Sequence, residues 1–249
     1  MKCKLTGLEG KAVDAHIIPR SFFAIDPKDK VPLKIVSNVS DEYTRRSFKG
    51  IYDRTIVTEE GEKLFSPWDD YGCEILLKRV DELELIHDER RVVAYQHQEY
   101  DYAKLKLFFL AVLWRAAVSS HPFFAKVELG AHETRIREAL LSSDPGDSDF
   151  YPVCLAIFHD RREGPGMMDA FPERYDGIRY YRFYLSSYIV YFKVDQQLAK
   201  EPFRSVQLAP QRPLIIIARE LSRSKELPIM KRLAKEAREK GAALEKGQI

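Results

Sequence analysis

The chain contains few cysteines and no long apolar run. Its three cysteines, Cys3, Cys73 and Cys154, are widely spaced. Because this set provides neither a disulfide framework nor a metal cluster, it favours a reducing compartment. The longest apolar stretch, residues 107–114, is too short to cross a bilayer, and the N-terminus has no signal-peptide pattern. We therefore expect a soluble cytoplasmic protein without membrane partners.

The chain also lacks a large excess of either charge. Its 40 basic and 38 acidic side chains give a net charge of +2, which argues against broad, non-specific attraction to nucleic acid. The charges are unevenly spread, however. Residues 1–55 hold 11 basic and 7 acidic groups, whereas residues 56–100 hold 5 and 12. A basic face near the N-terminus therefore remains compatible with phosphate binding.

An apolar share of 45% with 12% aromatics predicts a packed globular protein. The hydrophobic periods predict an α+β fold, with a small module over residues 1–80 and a larger α+β domain over 81–249. We expect strands over residues 11–19, 82–99 (one or two), 152–158, 178–185, 188–194 and 214–218. Helices are expected over residues 59–80, 105–118, 131–141 and, as a basic amphipathic helix, 225–244.

A histidine lies near the N-terminus in the segment Asp14-Ala-His-Ile-Ile-Pro-Arg20. Because histidine titrates near neutral pH, His16 is a candidate general base. A second block, Gly50-Ile-Tyr-Asp-Arg-Thr-Ile-Val57, follows about thirty residues later and leads into Thr58-Glu-Glu-Gly-Glu62. Further on, Phe65, Asp70 and Tyr71 complete the pattern.

These blocks resemble HNH endonuclease-like proteins of the His-Ile-Ile-Pro type, a branch of the His-Me finger (ββα-metal) superfamily. The resemblance covers residues 1–80 and implies an N-terminal ββα module, followed by helices and a mixed or antiparallel sheet. It implies a metal-dependent nuclease that hydrolyses DNA or RNA, of the kind found in prokaryotic defence or mobile elements. His16 would activate the attacking water beside Mg²⁺ or Mn²⁺, with Glu62 holding the ion or orienting His16. Asp14 and Asp53 are additional candidate metal ligands.

The basic residues that flank the two matched blocks are the candidate nucleic-acid contacts. They are Arg20, Arg45, Arg46 and Lys49. Like charge repels phosphate, so the acidic stretch at residues 56–100 is expected to face away from a bound nucleic acid.

The sequence departs from the family pattern at its zinc positions. Cys3 remains, but Thr6, Thr58 and Gly61 stand where the other three zinc-binding cysteines are expected. Threonine and glycine cannot replace thiolates, so we expect no structural zinc. The residue before His16, an aspartate in many active HNH sites, is alanine. A second hypothesis is therefore an inactive HNH-derived scaffold that binds a partner protein or nucleic acid.

Two of the candidate site residues also have ordinary structural explanations. His16 could be a partly buried strand histidine that bonds to a carbonyl group. This explanation is less favoured than an active-site role only because the second matched block, residues 50–57, is also present. Glu62 could be a first-turn helix charge that is favoured by the helix dipole. Both alternatives stay open at this point.

Overall fold

The computed structural model describes residues 1–23, 33–36, 45–47, 50–159, 166–232 and 235–236; for 33–36, 45–47 and 166–167 it describes the backbone alone. It is a mixed α+β structure, so the predicted class is confirmed. The strands are β1 (Ala15–His16), β2 (Leu33–Val36), β3 (Arg45–Ser47), β4 (Tyr52–Asp53), β5 (Glu84–Asp88), β6 (Arg91–His97), β7 (Val153–Phe158), β8 (Gly166–Met168), β9 (Phe171–Tyr175), β10 (Ile178–Leu185), β11 (Tyr188–Lys193) and β12 (Leu214–Arg219). The helices are α1 (Glu59–Cys73), α2 (Tyr102–Val118), α3 (Ala131–Ser142) and the short α4 (Phe203–Val206).

Seven strands form the main sheet, in the order β5-β6-β12-β7-β11-β10-β9. Neighbouring strands within this sheet are antiparallel, except that β12 and β7 run parallel to each other, so the sheet is mixed. Alternation along β10 places Tyr181 and Phe183 on one face and Tyr180 and Arg182 on the other. The dense aromatic run predicted as strands therefore supplies both faces of a buried sheet.

Helix α2 covers the first of these faces. Asp101 caps it by accepting a hydrogen bond from the Lys104 amide at 3.0 Å. The Phe109 ring of α2 lies 6.1 Å from that of Phe192 on β11. Residues 105–116 of α2 are all buried, as expected for a helix that is apolar on every side. None of the helices in the described part of the chain is long and apolar enough to span a bilayer.

A buried charge cluster attaches the last helix to the opposite face. Residues 226–232 are helical, and Glu226 at their start is fully buried. Its carboxylate accepts hydrogen bonds from Arg219 at 2.9 and 3.0 Å and from Arg182 at 2.9 Å. Burial opposes the charged form, but the two guanidinium groups keep the pKa of Glu226 below its usual value. Ion pairs, in addition to the apolar side of the predicted amphipathic helix, therefore attach residues 226–232 to the sheet.

The N-terminal segment differs in detail from the sequence expectation. Instead of one strand over residues 11–19, it forms an isolated bridge at Ala12 and the two-residue strand β1. Helix α1 continues through Pro67, and a π-helical turn, Glu74–Lys78, follows it. The helix starts where the sequence predicts, with Thr58 as the N-cap residue.

Candidate functional site

His16 lies on a short antiparallel ribbon. It is paired with Tyr52, and Ala15 is paired with Asp53. The His16 side chain is half-buried, and its ring centroid lies 6.1 Å from that of Tyr52. Because Ala15, Ile17, Ile18 and Pro19 are buried, His16 is the partly accessible side chain within this apolar run.

Helix α1 is tied directly to the chain ahead of His16. Ala12 forms a bridge with Thr58, and the Glu59 amide donates to the Lys11 carbonyl at 3.0 Å. The ribbon of β1 and β4 and the start of α1 are thus connected through the residues on either side of them.

The Cys3 sulfur lies next to the three other positions at which the family pattern has zinc ligands, namely Thr6, Thr58 and Gly61. The Thr6 amide donates to Cys3 Sγ at 3.5 Å, and a Cβ atom at Gly61 would lie 2.7 Å from this sulfur. Burial raises the pKa of the Cys3 thiol, but donors from Thr6 and the backbone of Thr58 and Leu5 outweigh it and lower that pKa overall. Glycine at position 61 therefore leaves the space that the sulfur fills.

Asp53 is held by five hydrogen bonds. One carboxylate oxygen accepts from the Thr55 amide and hydroxyl at 2.8 and 2.7 Å. The other accepts from the Ser119 hydroxyl at 2.8 Å and from the amide and hydroxyl of Ser120 at 2.8 and 3.0 Å. Burial works against ionisation, yet these donors hold the pKa of Asp53 far below its usual range. Asp53 thus fastens β4 to the loop after α2.

Two carboxylates implied as metal ligands, Asp53 and Asp14, are engaged in contacts with other protein groups. Both oxygens of Asp53 are occupied by protein donors, and Asp14 forms an ion pair with Arg54 at 2.9 Å. Across the described ranges, no three or more His, Cys, Asp or Glu side chains are grouped to hold a metal ion. The expectation of Mg²⁺ or Mn²⁺ therefore gains no support from these two carboxylates.

Glu62 lies at the interface of α1 and α2. Burial raises the pKa of its carboxyl group, while nearby Arg115 opposes that shift. Its Oε2 atom is buried and has no hydrogen-bond partner within the described residues. Arg115 is fully buried and donates to both oxygens of Asp69 at 2.7 Å. The charged neighbours of Glu62 are thus Arg115 on α2 and Asp69 on α1, and the ring of His16 contacts that of Tyr52.

The predicted basic contacts are only partly described. Arg20 is exposed at the start of a short 3-10 helix, Arg20–Phe23. Arg45 and Arg46 lie on β3, next to β2, but their side chains are outside the described part of the structure. Lys49 also lies outside the described residues. Whether these four residues share a face stays a prediction.

Sequence reasoning missed the residues that tie this unit to the rest of the chain. They are Asp69, Arg115, Ser119 and Ser120, together with Arg137, which donates to the Lys4 carbonyl at 3.0 Å. An arginine inside an otherwise apolar helix was the one available signal, because such a charge needs a partner. Nothing in the sequence indicated that the partner would be Asp69.

Comparison with protein-family models, with curated proteins and with solved structures found no match.

Proposed function

We propose that residues 1–80 form an HNH-derived ββα module that binds nucleic acid without metal-dependent cleavage. The convergence of positions 3, 6, 58 and 61 on the Cys3 sulfur supports the derivation most strongly. These positions correspond to zinc ligands in the family pattern, and they come from two segments that are more than fifty positions apart in the sequence.

The state of the carboxylates favours binding over cleavage. A ligand for Mg²⁺ must offer free oxygen lone pairs, but those of Asp53 are taken by five donors, and Asp14 is paired with Arg54. Ala15 is buried where many active HNH sites carry an aspartate. The contacts of Asp53 and Asp14 and the buried Ala15 therefore support a module that binds without cleaving.

The charge distribution favours nucleic acid as the ligand. Residues 1–55 have more basic than acidic groups, at 11 and 7, and Arg20 is exposed close to His16 in sequence. Strand β3 adds two consecutive arginines. Phosphate contacts of this kind are independent of base sequence and depend strongly on salt.

A salt titration of binding to duplex DNA, single-stranded DNA and RNA tests the proposal. We expect the Arg45→Ala/Arg46→Ala variant to bind more weakly, with a salt slope lower by roughly one unit per lost phosphate contact. Arg90→Ala/Arg91→Ala, which removes two exposed arginines from the β5–β6 hairpin, is the matched control. Equal slopes for the two variants would place the binding surface elsewhere, and no binding to any of the probes would refute the proposal.

A catalytic nuclease is the second candidate, because Glu62 has a feature that a binding module does not need. The Oε2 atom of Glu62 is buried without a hydrogen bond, and burial raises the pKa of its carboxyl group. Both features suit a carboxyl group that gives and takes protons during a reaction. His16 would then act as the base. Degradation of plasmid and RNA by wild type, His16→Ala and the exposed-histidine control His87→Ala, in Mg²⁺ and in Mn²⁺, separates the two candidates. Activity lost only in His16→Ala would support the nuclease, whereas the binding proposal requires no activity in any of the three.

A further inference from the structure

A polar pocket opens at the end of the main sheet, away from the residues of the N-terminal module. Its volume is about 170 Å³. One wall comes from His132 and Arg135 on α3, and another from residues 149–151, which lead into β7. Lys193 at the end of β11 and the following loop, residues 195–198, complete the lining. This space is large enough for a compact ligand of a few heavy atoms and too small for a folded partner.

The pocket contains two cationic side chains, Lys193 and Arg135. Lys193 is only 2% exposed, and its ammonium donates to the Asp195 carbonyl at 2.7 Å. Arg135 is exposed, and its guanidinium lies 6.0 Å from the centre of the Phe150 ring. No carboxylate among the described residues forms an ion pair with either cation. Burying an ammonium group without a counter-ion is costly, so an anion in the pocket would offset that cost.

The two acidic residues of the lining are engaged in other bonds. The oxygens of Asp195 accept from the backbone amides of Arg179 at 3.2 Å and Gln197 at 2.9 Å, which fixes the loop. Asp149 accepts from the Gln207 amide at 3.0 Å through one oxygen. Both carboxylates act electrostatically on Lys193 and oppose the lowering of its pKa by burial. Neither of them forms an ion pair with Lys193 or Arg135, and the second oxygen of Asp149 can still accept a hydrogen bond from a ligand.

The wall at Tyr151 is fixed in advance of any ligand. Tyr151 has a φ of 46°, a left-handed conformation that is uncommon for a bulky side chain. Its hydroxyl lies 3.0 Å from Nδ1 of His132, and its carbonyl accepts from the buried Lys106 ammonium at 2.9 Å. Strained residues held by their surroundings cluster at binding sites, and a pre-formed wall reduces the entropy cost of binding.

We propose that this pocket binds a small phosphate monoester, with the phosphate between Arg135 and Lys193. The two cations come from different elements, and the His132–Tyr151 pair adds a neutral donor. A tetrahedral phosphate can accept hydrogen bonds from several directions, whereas a planar carboxylate is satisfied by one guanidinium group. The free oxygen of Asp149 selects for a hydroxyl group on the ligand. The proposal does not depend on the function of residues 1–80.

The phosphate-monoester proposal is tested by calorimetric titration of the full chain, which measures the affinity for three probes: glycerol 3-phosphate, inorganic phosphate and succinate. We expect glycerol 3-phosphate to bind most tightly and succinate most weakly. Arg135→Ala should weaken glycerol 3-phosphate binding about tenfold or more, as expected for a lost charge-assisted hydrogen bond. The matched control is Arg204→Ala, which removes an exposed arginine outside the pocket.

Lys193→Met provides a second, independent variant, and its circular dichroism spectrum shows whether it has folded. Since Arg135 is exposed, Arg135→Ala decides the question even if Lys193→Met does not fold. Succinate binding as tightly as the phosphate ester would overturn the phosphate assignment. Absence of binding by all three probes, or equal weakening in Arg135→Ala and Arg204→Ala, would overturn the site itself.

Discussion

Arg115 is a fully buried arginine on α2, and both oxygens of Asp69 on α1 accept hydrogen bonds from it at 2.7 Å. The guanidinium also lies 4.8 Å from the centre of the Phe65 ring. We predict that Asp69→Ala lowers the free energy of unfolding by roughly 3–5 kcal/mol, because it leaves a buried charge without its partner. Urea denaturation measures this. The control is Asp70→Ala, an exposed neighbour on the same helix, which should change stability by about 0.5 kcal/mol or less.

Lys106 gives the stability of the protein a specific pH dependence. Burial lowers the pKa of its fully buried ammonium from 10.5 to about 7. Above pH 7 the unfolded chain therefore holds a proton that the folded chain has released, so stability rises with pH. The slope for one such proton is at most about 1.4 kcal/mol per pH unit.

We predict that this rise between pH 7 and about 8.5 is present in wild type and absent from Lys106→Met. Urea denaturation at several pH values measures the difference between the two slopes, which removes the contributions of other groups. Cysteine ionisation in the unfolded chain begins within this window, but it contributes equally to both proteins and cancels in the difference between their slopes. Parallel slopes would show that Lys106 does not change its protonation on folding in this range.

Single residues of the candidate site were predictable only where the sequence pattern is local. Thr58 and Glu62 lie at the predicted helix start because their neighbours determine that element. His16 lies on a strand of only two residues instead of the predicted strand over residues 11–19. The role of Asp53 was not predictable, since its partners Ser119 and Ser120 are 66 and 67 positions away. These long-range hydrogen bonds depend on where α2 packs, and no local sequence pattern indicates that position.

Secondary-structure elements could be predicted where the apolar residues repeat regularly along the sequence, with the spacing of a strand or of a helix. Strands β10 and β11 and helices α2 and α3 follow the sequence expectation closely because they are long and well patterned. The short strands β1 and β4 hold two residues each, and tertiary contacts rather than propensity define them. The predicted amphipathic helix at 225–244 is helical at 226–232 and 235–236, while Lys225 lies in a turn and residues 233–234 and 237–244 lie outside the described residues.

The packing of α1 against the N-terminal turn depends on Gly61. A Cβ atom there would lie 2.7 Å from Cys3 Sγ and 3.1 Å from Val57 Cβ. Alanine normally stabilises a helix relative to glycine by about 0.5–1 kcal/mol. We predict that Gly61→Ala instead destabilises the protein by about 1–3 kcal/mol through overpacking. Thermal or urea denaturation measures the change.

The Cys3→Ala background supplies the control for this prediction. Removing Sγ relieves the closest contact, so Gly61→Ala should cost less in that background than in wild type, although the contact with Val57 remains. The difference between the two costs is the coupling energy of the pair. A cost that is the same in both backgrounds would show that the sulfur does not determine the choice of glycine.

At the scale of the whole molecule, the predicted boundary near residue 80 crosses a continuous interior. One cluster of buried apolar residues includes Cys3, Phe65 and Ile216 and thus joins the N-terminal module to the main sheet. Polar bonds add to this connection: the Lys4 ammonium donates to the Val118 carbonyl at 2.6 Å, and Asp53 binds the loop that follows α2. The division into residues 1–80 and 81–249 stays a prediction about origin and function.

Because the interior is shared, we predict that the chain unfolds in a single step. Urea transitions followed by tryptophan fluorescence, which reports on Trp68 and Trp114, and by far-UV circular dichroism should coincide. Asp53→Ala should move both curves together, lowering stability by roughly 3 kcal/mol because five donors lose their acceptor. The exposed Asp14→Ala is the control and should leave both curves nearly unchanged. Separate transitions by the two probes would contradict the prediction and would show that the module around His16 unfolds independently of the sheet.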